Sequence, residues 1–232
     1  MDFFDAVKKR RSTRQFTPTS VPDAVIEKAL GAALIAPNSS NMQPWHFFWV
    51  KSPEKKDALV KACLSQSAAR TANHLVVAVA HIDTWKRNRD ELIAIMKKNG
   101  PVEKYVLDYY YKIVPLMYVQ DPLGLLGIFK WLLFNTMGLF KPTPRGPISR
   151  SGIFQVVTKT TALACENFML AIAAQGFASC PMEGFDECRV KKILGLGRNS
   201  HVVMVLAVGE ADSQGLMIPQ YRLDISRTLT RI

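Results

Sequence analysis

The sequence lacks the patterns that announce several common functions. Its four cysteines, Cys63, Cys165, Cys180 and Cys188, form no CxxC pair, and no histidine stands close enough in sequence to complete a metal-ligand pattern. That argues against a disulfide framework or a zinc site and fits a reducing cytosol. No apolar core precedes the first basic run, where Asp2 and Asp5 are charged, so the N-terminus does not read as a signal peptide. Acidic residues are few. Thirty Lys and Arg against nineteen Asp and Glu leave a formal charge of +11, which favours an anionic ligand or partner. Nucleic acid would be the obvious one, but the cations run from Lys8 to Arg231 with no long basic run or aromatic-laced basic patch. There is also no nicotinamide-specific motif, no internal repeat and no linker that splits the chain.

What is present is ordinary for a folded protein. With 232 residues, 48% hydrophobic and 21% charged, the chain has enough material for a substantial core. Residues 2–10 read as a short helix ending in a basic cluster. Thr17-Pro18 breaks the chain, and Ser20-Val21-Pro22-Asp23 starts a second helix with Val25, Ile26, Ala29, Leu30, Ala33 and Leu34 on one broad face. It stops at Pro37, followed by the polar loop Asn38-Ser39-Ser40-Asn41. Trp45 to Val50 is expected as a strand, Pro53 to about Ala69 as a helix, and Leu75 to Ala80 as a strand buried on both faces. Trp85 to Lys98 reads as an exposed charged helix closed by Gly100-Pro101.

From Val102 to about Arg150 the pattern is irregular. Leu123 to Phe140 has only Lys130 charged and falls just short of a membrane span. It reads as a buried or subunit-covering helical excursion, with a membrane-surface or spanning segment as the competing reading. Lys141 to Pro147 is a loop. Phe154 to Gln175 is the strongest helix, roughly 33 Å long at about 1.5 Å per residue, apolar nearly all round and ended by Gly176. Asp186 to Leu196 is expected as a helix and Val202 to Val208 as a second doubly buried strand. The tail from Gly215 to Ile232 reads as polar and extended, with no core of its own, and suited to docking on a partner subunit.

Three stretches could carry chemistry. Lys8 to Arg14 packs five cations and two hydroxyls into seven residues, and guanidinium forks match phosphate oxygens. Ala36 to His46 places amides and hydroxyls at a helix–strand junction. Cys180-Pro181-Met182-Glu183-Gly184-Phe185 reads as a turn whose Pro and Gly set backbone N–H groups for close approach to a planar ring. Each alone is a modest signal: a solvated helix end, a polar connection, an ordinary turn.

Taken together and in order, Arg10-Arg11-Ser12-Thr13-Arg14, Ala36-Pro37…Asn41…Gln43-Pro44-Trp45 and Pro181-Met182-Glu183-Gly184-Phe185 resemble the FMN-dependent nitroreductase family over residues 1–100 and 151–222. The resemblance implies one α+β domain over 1–232, a three-layer sandwich with a mixed sheet and flanking helices, with 102–150 as an elaboration. It implies an intertwined cytoplasmic homodimer with FMN at the subunit interface. Arg10, Ser12 and Arg14 would grip the phosphate and the pyrimidine side, with Arg11 close by and Arg222 also on the phosphate. Pro37, Asn38, Ser39 and Asn41 would come from the other subunit. Pro181, Met182, Glu183 and Gly184 would line the ring, with a backbone N–H of Glu183 or Gly184 near flavin N5. Two departures stand out: Gln220 where some members carry lysine, and Gln66 as the substitute for an absent Asn/Lys pair.

The implied reaction is ping-pong, with NADH or NADPH passing two electrons through flavin N5 to a nitroaromatic, quinone or similar conjugated acceptor. It needs no assigned general acid or base, because the cofactor carries the hard step. His46 reads as a strand residue, and His74, His81 and His201 lie beside core strands without metal-like spacing. Relatives with the same fold but other flavin chemistry, such as enone reduction, reductive dehalogenation or flavin fragmentation, are an alternative. A basic peripheral-membrane protein using Leu123 to Phe140 is another. Tyr109, Tyr110, Tyr111, Phe129 and Trp131 are candidates for a hydrophobic lid or for subunit packing.

Overall fold

Two β-branched runs form the centre. In the computed structural model, which describes residues 1–121, 124–216 and 218–232, β2 (His74–His81) and β4 (Ser200–Gly209) are buried on both faces and pair antiparallel. β1 (Trp45–Val50) pairs with β2, and β3 (Ala178–Met182) with β4, giving the order β1-β2-β4-β3. Every ladder among these strands is antiparallel; the parallel part of the expected mixed sheet is one bridge, Ser12 to Ser179.

The sheet separates two apolar cores. Val76, Ala78 and Ala80 face one, and Leu75, Val77 and Val79 face the other, as strand alternation requires. A register shift between Ala78 and Val79 leaves Val203 unpaired in β4, so Val203 and Met204 both serve the first core. That core is closed by α2 (Asp23–Leu34) and α9 (Arg150–Ala174). The second is closed by α3 (Pro53–Ala62) and α10 (Glu187–Leu194). Helices therefore cover both faces of the sheet, which is the expected α+β sandwich.

α9 has the length and composition of a membrane span, yet Ile153, Val157, Phe168 and Ile172 are fully buried in the core. It begins four residues earlier than the apolar pattern predicts, because the Ser149 hydroxyl accepts from the Gly152 amide and caps its first turn.

Three readings are corrected. The single helix expected over 53–69 is two: α3 ends at Ala62, Leu64 and Ser65 turn left-handed, and α4 spans Ser67–Thr71. Cys180 to Met182 belongs to strand β3, with the turn following it. Pro181 is tolerated because β3 lies at the edge of the sheet, where a missing N–H breaks no inner ladder. The irregular region is largely helical. After α5 (Trp85–Asn99), the expected charged helix that precedes it, the region contains α6 (Lys104–Asp108), a π turn (Tyr109–Ile113), α7 (Val114–Tyr118) and α8 (Leu125–Phe140). Of the apolar run expected over 123–140, Leu123 lies outside the described residues.

Candidate functional site

α1 (Phe3–Lys9) starts at Asp2, whose carboxylate accepts from the Phe4 amide, and ends at Arg10, whose backbone is extended. From there the chain is held by backbone bonds on both sides. The Thr13 amide donates to Ser179 O (3.1 Å), and the Arg14 amide to Gly215 O (2.7 Å). The Thr17 amide donates to Glu210 O (2.9 Å). Thr13 is buried, so strand alternation turns Ser12 and Arg14 outward. Gly215 is required here, because a Cβ would lie 2.5 Å from the Gln15 carbonyl oxygen.

The outward side forms one wall of a cavity of about 410 Å³, within the range of roughly 300–1,000 Å³ typical of small-molecule sites. Arg10, Arg11, Ser12 and Arg14 make that wall; residues 216 and 218–222, including Gln220 and Arg222, make the other. The Arg11 Nη2 group donates to Ile218 O (2.9 Å) and ties the two walls together. Arg222 donates to its neighbour's carbonyl, Tyr221 O (2.7 Å). No carboxylate lines the cavity among the described residues; Glu166 stands behind it, 3.6 Å from Arg10 Nε. Four guanidinium groups and a hydroxyl with no lining acid suit a doubly charged phosphate monoester.

A second arrangement lies at the end of β3. The Gln66 amide nitrogen donates to Gly184 O at 2.6 Å, and a Cβ on Gly184 would lie 3.2 Å from that nitrogen. The left-handed Leu64 and Ser65 put Gln66 there. Glu183 and Gly184 are exposed, whereas the Met182 side chain points into the second core and offers only backbone to the surface. Burial pushes the Cys180 thiol up, with Arg14 pulling the other way.

The third stretch stands apart. Ser40, Asn41 and Gln43 have positive φ, an unusual cluster for non-glycine residues. It is held by the Asn38 carbonyl oxygen Oδ1, which accepts from the Gln43 amide (2.9 Å), and by the Asn88 side chain, which donates to Met42 O (2.8 Å). Ser40 Oγ and Tyr109 Oη lie 2.6 Å apart. Pro37, Asn38, Ser39 and Asn41 line no part of the arginine cavity within one chain.

Sequence reasoning missed Glu166 and the apolar wall of Leu216, Ile218 and Tyr221; alternating apolar residues in the tail were the available signal. It also missed a cleft of about 1,000 Å³ between α9 and α10, lined by Arg150, Lys159, Lys191, Arg198, His201 and Glu187. Burial pushes the Glu187 carboxyl up, but Lys191, the Val202 amide and His201 outweigh it and hold it below the usual range. Beyond the i,i+4 pair Glu187 and Lys191, no spacing in the sequence joins those residues.

The model of the Nitroreductase family matches residues 7–114 and 131–210. A protein named NADH dehydrogenase from Thermus thermophilus is 26% identical over 236 residues, covering 99% of this chain and 95% of its own length. The oxygen-insensitive NAD(P)H nitroreductase of Salmonella typhimurium is 25% identical over 244 residues, covering 100% of both. The crystal structure of an Exiguobacterium sibiricum protein in complex with FMN shares the fold, with a TM-score of 0.74 and 21% identity over 100% of this chain and 98% of that one.

Proposed function

Because this chain belongs to the nitroreductase family, we propose that it is an FMN-dependent oxidoreductase, moving two electrons from NADH or NADPH to a nitroaromatic, quinone or similar conjugated acceptor. The observation that carries this reading is the cavity in which Arg10, Arg11, Ser12, Arg14 and Arg222 converge with no lining carboxylate among the described residues. When bound there, FMN supplies a ring that takes electrons from a nicotinamide and yields them to an acceptor.

The chain's own residues hold and bias. Arg10, Arg14 and Arg222 would hold the phosphate by charge-assisted bonds, with Ser12 adding a short hydroxyl donor. Glu166 steadies Arg10, and Arg11 fixes the tail that carries Arg222. Gln66 fixes the Gly184 turn, whose lack of a side chain lets backbone approach a ring. The net positive field favours negative charge on whatever occupies the cavity. Gln220, standing where some relatives carry lysine, adds hydrogen bonding without charge.

A second copy of the chain fits the remaining residues. Pro37, Asn38, Ser39 and Asn41 line no part of the arginine cavity within one chain, and the tail exposes Ile218, Tyr221, Leu223 and Ile225. A homodimer in which each loop closes the other's cavity accounts for both. Donor and acceptor then use one opening in turn, so the kinetics are ping-pong.

The test is steady-state turnover of the purified protein with NADH and NADPH against nitroaromatics, quinones and enones. Parallel double-reciprocal lines with nitroaromatic or quinone acceptors support the proposal. Turnover restricted to enones moves the chemistry to another branch of the fold, and intersecting lines contradict the shared opening.

A further inference from the structure

α8 is amphipathic in the wrong sense for a core helix. Its inward side buries Lys130 and Phe134, and the Lys130 ammonium donates to Val119 O at 2.6 Å. Its outward side carries Leu125, Ile128, Phe129, Leu132, Leu139 and Phe140, all exposed, the last two at 79% and 85%. At about 100° per residue these six fall within an arc of roughly 120°. No described residue of α8 belongs to either apolar core of the domain. Such a contiguous apolar stripe is far more than scattered surface residues explain.

The surrounding charge says what covers it. Residues 122–165 contain no Asp or Glu; of their cations Lys130 is turned inward and Arg150 and Lys159 line the cleft between α9 and α10, which leaves Lys141 and Arg145 beside the stripe. Lys141 follows the stripe directly, and Arg145 donates to Asn135 Oδ1 (2.7 Å) beside the last turns of the helix. The nearest preceding acid, Asp121, accepts from the Leu125 and Leu126 amides (2.9 Å each) and so caps the start of the helix. Trp131 and Ile128 also border a hollow of about 330 Å³ that continues the apolar surface. Sixteen residues make a helix of roughly 24 Å, too short for a hydrocarbon core of about 30 Å, so α8 fits a membrane surface and not a span.

We propose that α8 is an interfacial helix that lays its Leu125–Phe140 stripe into an anionic lipid surface, with Lys141 and Arg145 on the headgroups. Apolar area drives insertion, and the acid-free segment selects the charge of the lipid. Docking of this kind needs no flavin, so it stands or falls separately from the proposed chemistry.

The experiment is flotation of the full-length protein with vesicles of phosphatidylcholine alone or with about one-third phosphatidylglycerol. Wild type is expected to float with the anionic vesicles at least about tenfold more than with the neutral ones, and the Ile128→Asp/Leu132→Asp variant to stay behind. The milder Leu139→Asn variant, with circular dichroism to confirm folding, gives a smaller loss if the double variant proves unstable. Trp131 should be quenched by brominated lipid, read as the difference between wild type and Trp131→Phe. Wild type that fails to float overturns the proposal. So does a double variant whose mass by light scattering falls below that of wild type, because the stripe is then a contact between copies.

Discussion

The side-chain amide of Gln66 donates to the Gly184 carbonyl at 2.6 Å across 118 residues of sequence. It joins the break between α3 and α4 to the end of β3. In the proposed function it fixes the turn that faces the flavin ring. Replacing Gln66 by Ala removes one exposed hydrogen bond, so stability should fall by no more than about 1 kcal/mol. FMN affinity should fall several-fold more than that of a surface control such as Lys97→Ala. Fluorescence titration with FMN and a thermal melt measure both; equal affinity for Gln66→Ala and wild type would remove this role.

Arg14 and Arg222 face the same cavity from opposite walls. A charge-assisted hydrogen bond to an ion contributes about 1.5–3 kcal/mol, so Arg222→Ala should weaken FMN binding by roughly 10- to 100-fold. Arg222→Lys should recover part of the loss, because charge is kept while the fork is not. The difference between wild type and Arg222→Ala should shrink at high salt.

Burial lowers the His81 pKa, with His46 and Arg87 adding to the effect and Asp83 opposing it. Its Nε2 is buried without a hydrogen-bond partner among the described residues. The unfolded chain, with a value near 6.5, therefore takes up the proton first as pH falls. Stability is intact above about pH 6.5 and is lost progressively below it. His81→Gln should flatten the fall in Tm between about pH 7 and pH 5 relative to wild type.

Burial raises the Cys63 thiol to about 11 and the Cys165 thiol to about 12, and it pushes Cys180 up as well. Cys188 is the exposed cysteine. Maleimide at neutral pH should label the native protein once, at Cys188, and all four cysteines after denaturation. Mass spectrometry of the labelled peptides decides it.

Phe168, on the inward face of α9, is fully buried in the first core. Phe168→Ala should cost about 3–5 kcal/mol, measured by urea unfolding, through lost transfer energy and the cavity left behind.

Legibility in the sequence followed physical cause. β2 and β4 showed as short apolar runs because doubly buried strands need no polar alternation, and β1, a half-buried edge strand, showed through its aromatic residues. α9 showed because apolar residues encircle it. The break after α3 did not show, since Leu64 and Ser65 adopt left-handed backbone without the glycine that usually marks it. β3 read as a turn because Pro181 resembles punctuation, and only its place at the sheet edge makes it strand. Apolar content alone could not tell which side of α8 faces the protein. In the site, the early arginines and Arg222 line one cavity although more than two hundred residues separate them. The Pro37–Asn41 loop shows why sequence order is not proximity: within one chain it lies elsewhere.

The most direct measurement compares FMN with riboflavin, which differs only by the phosphate, in titrations of the purified protein. The arginine cavity predicts FMN bound at least about 100-fold more tightly, with the gap narrowing as salt rises. Equal affinities, or no uptake of FMN at all, would contradict it.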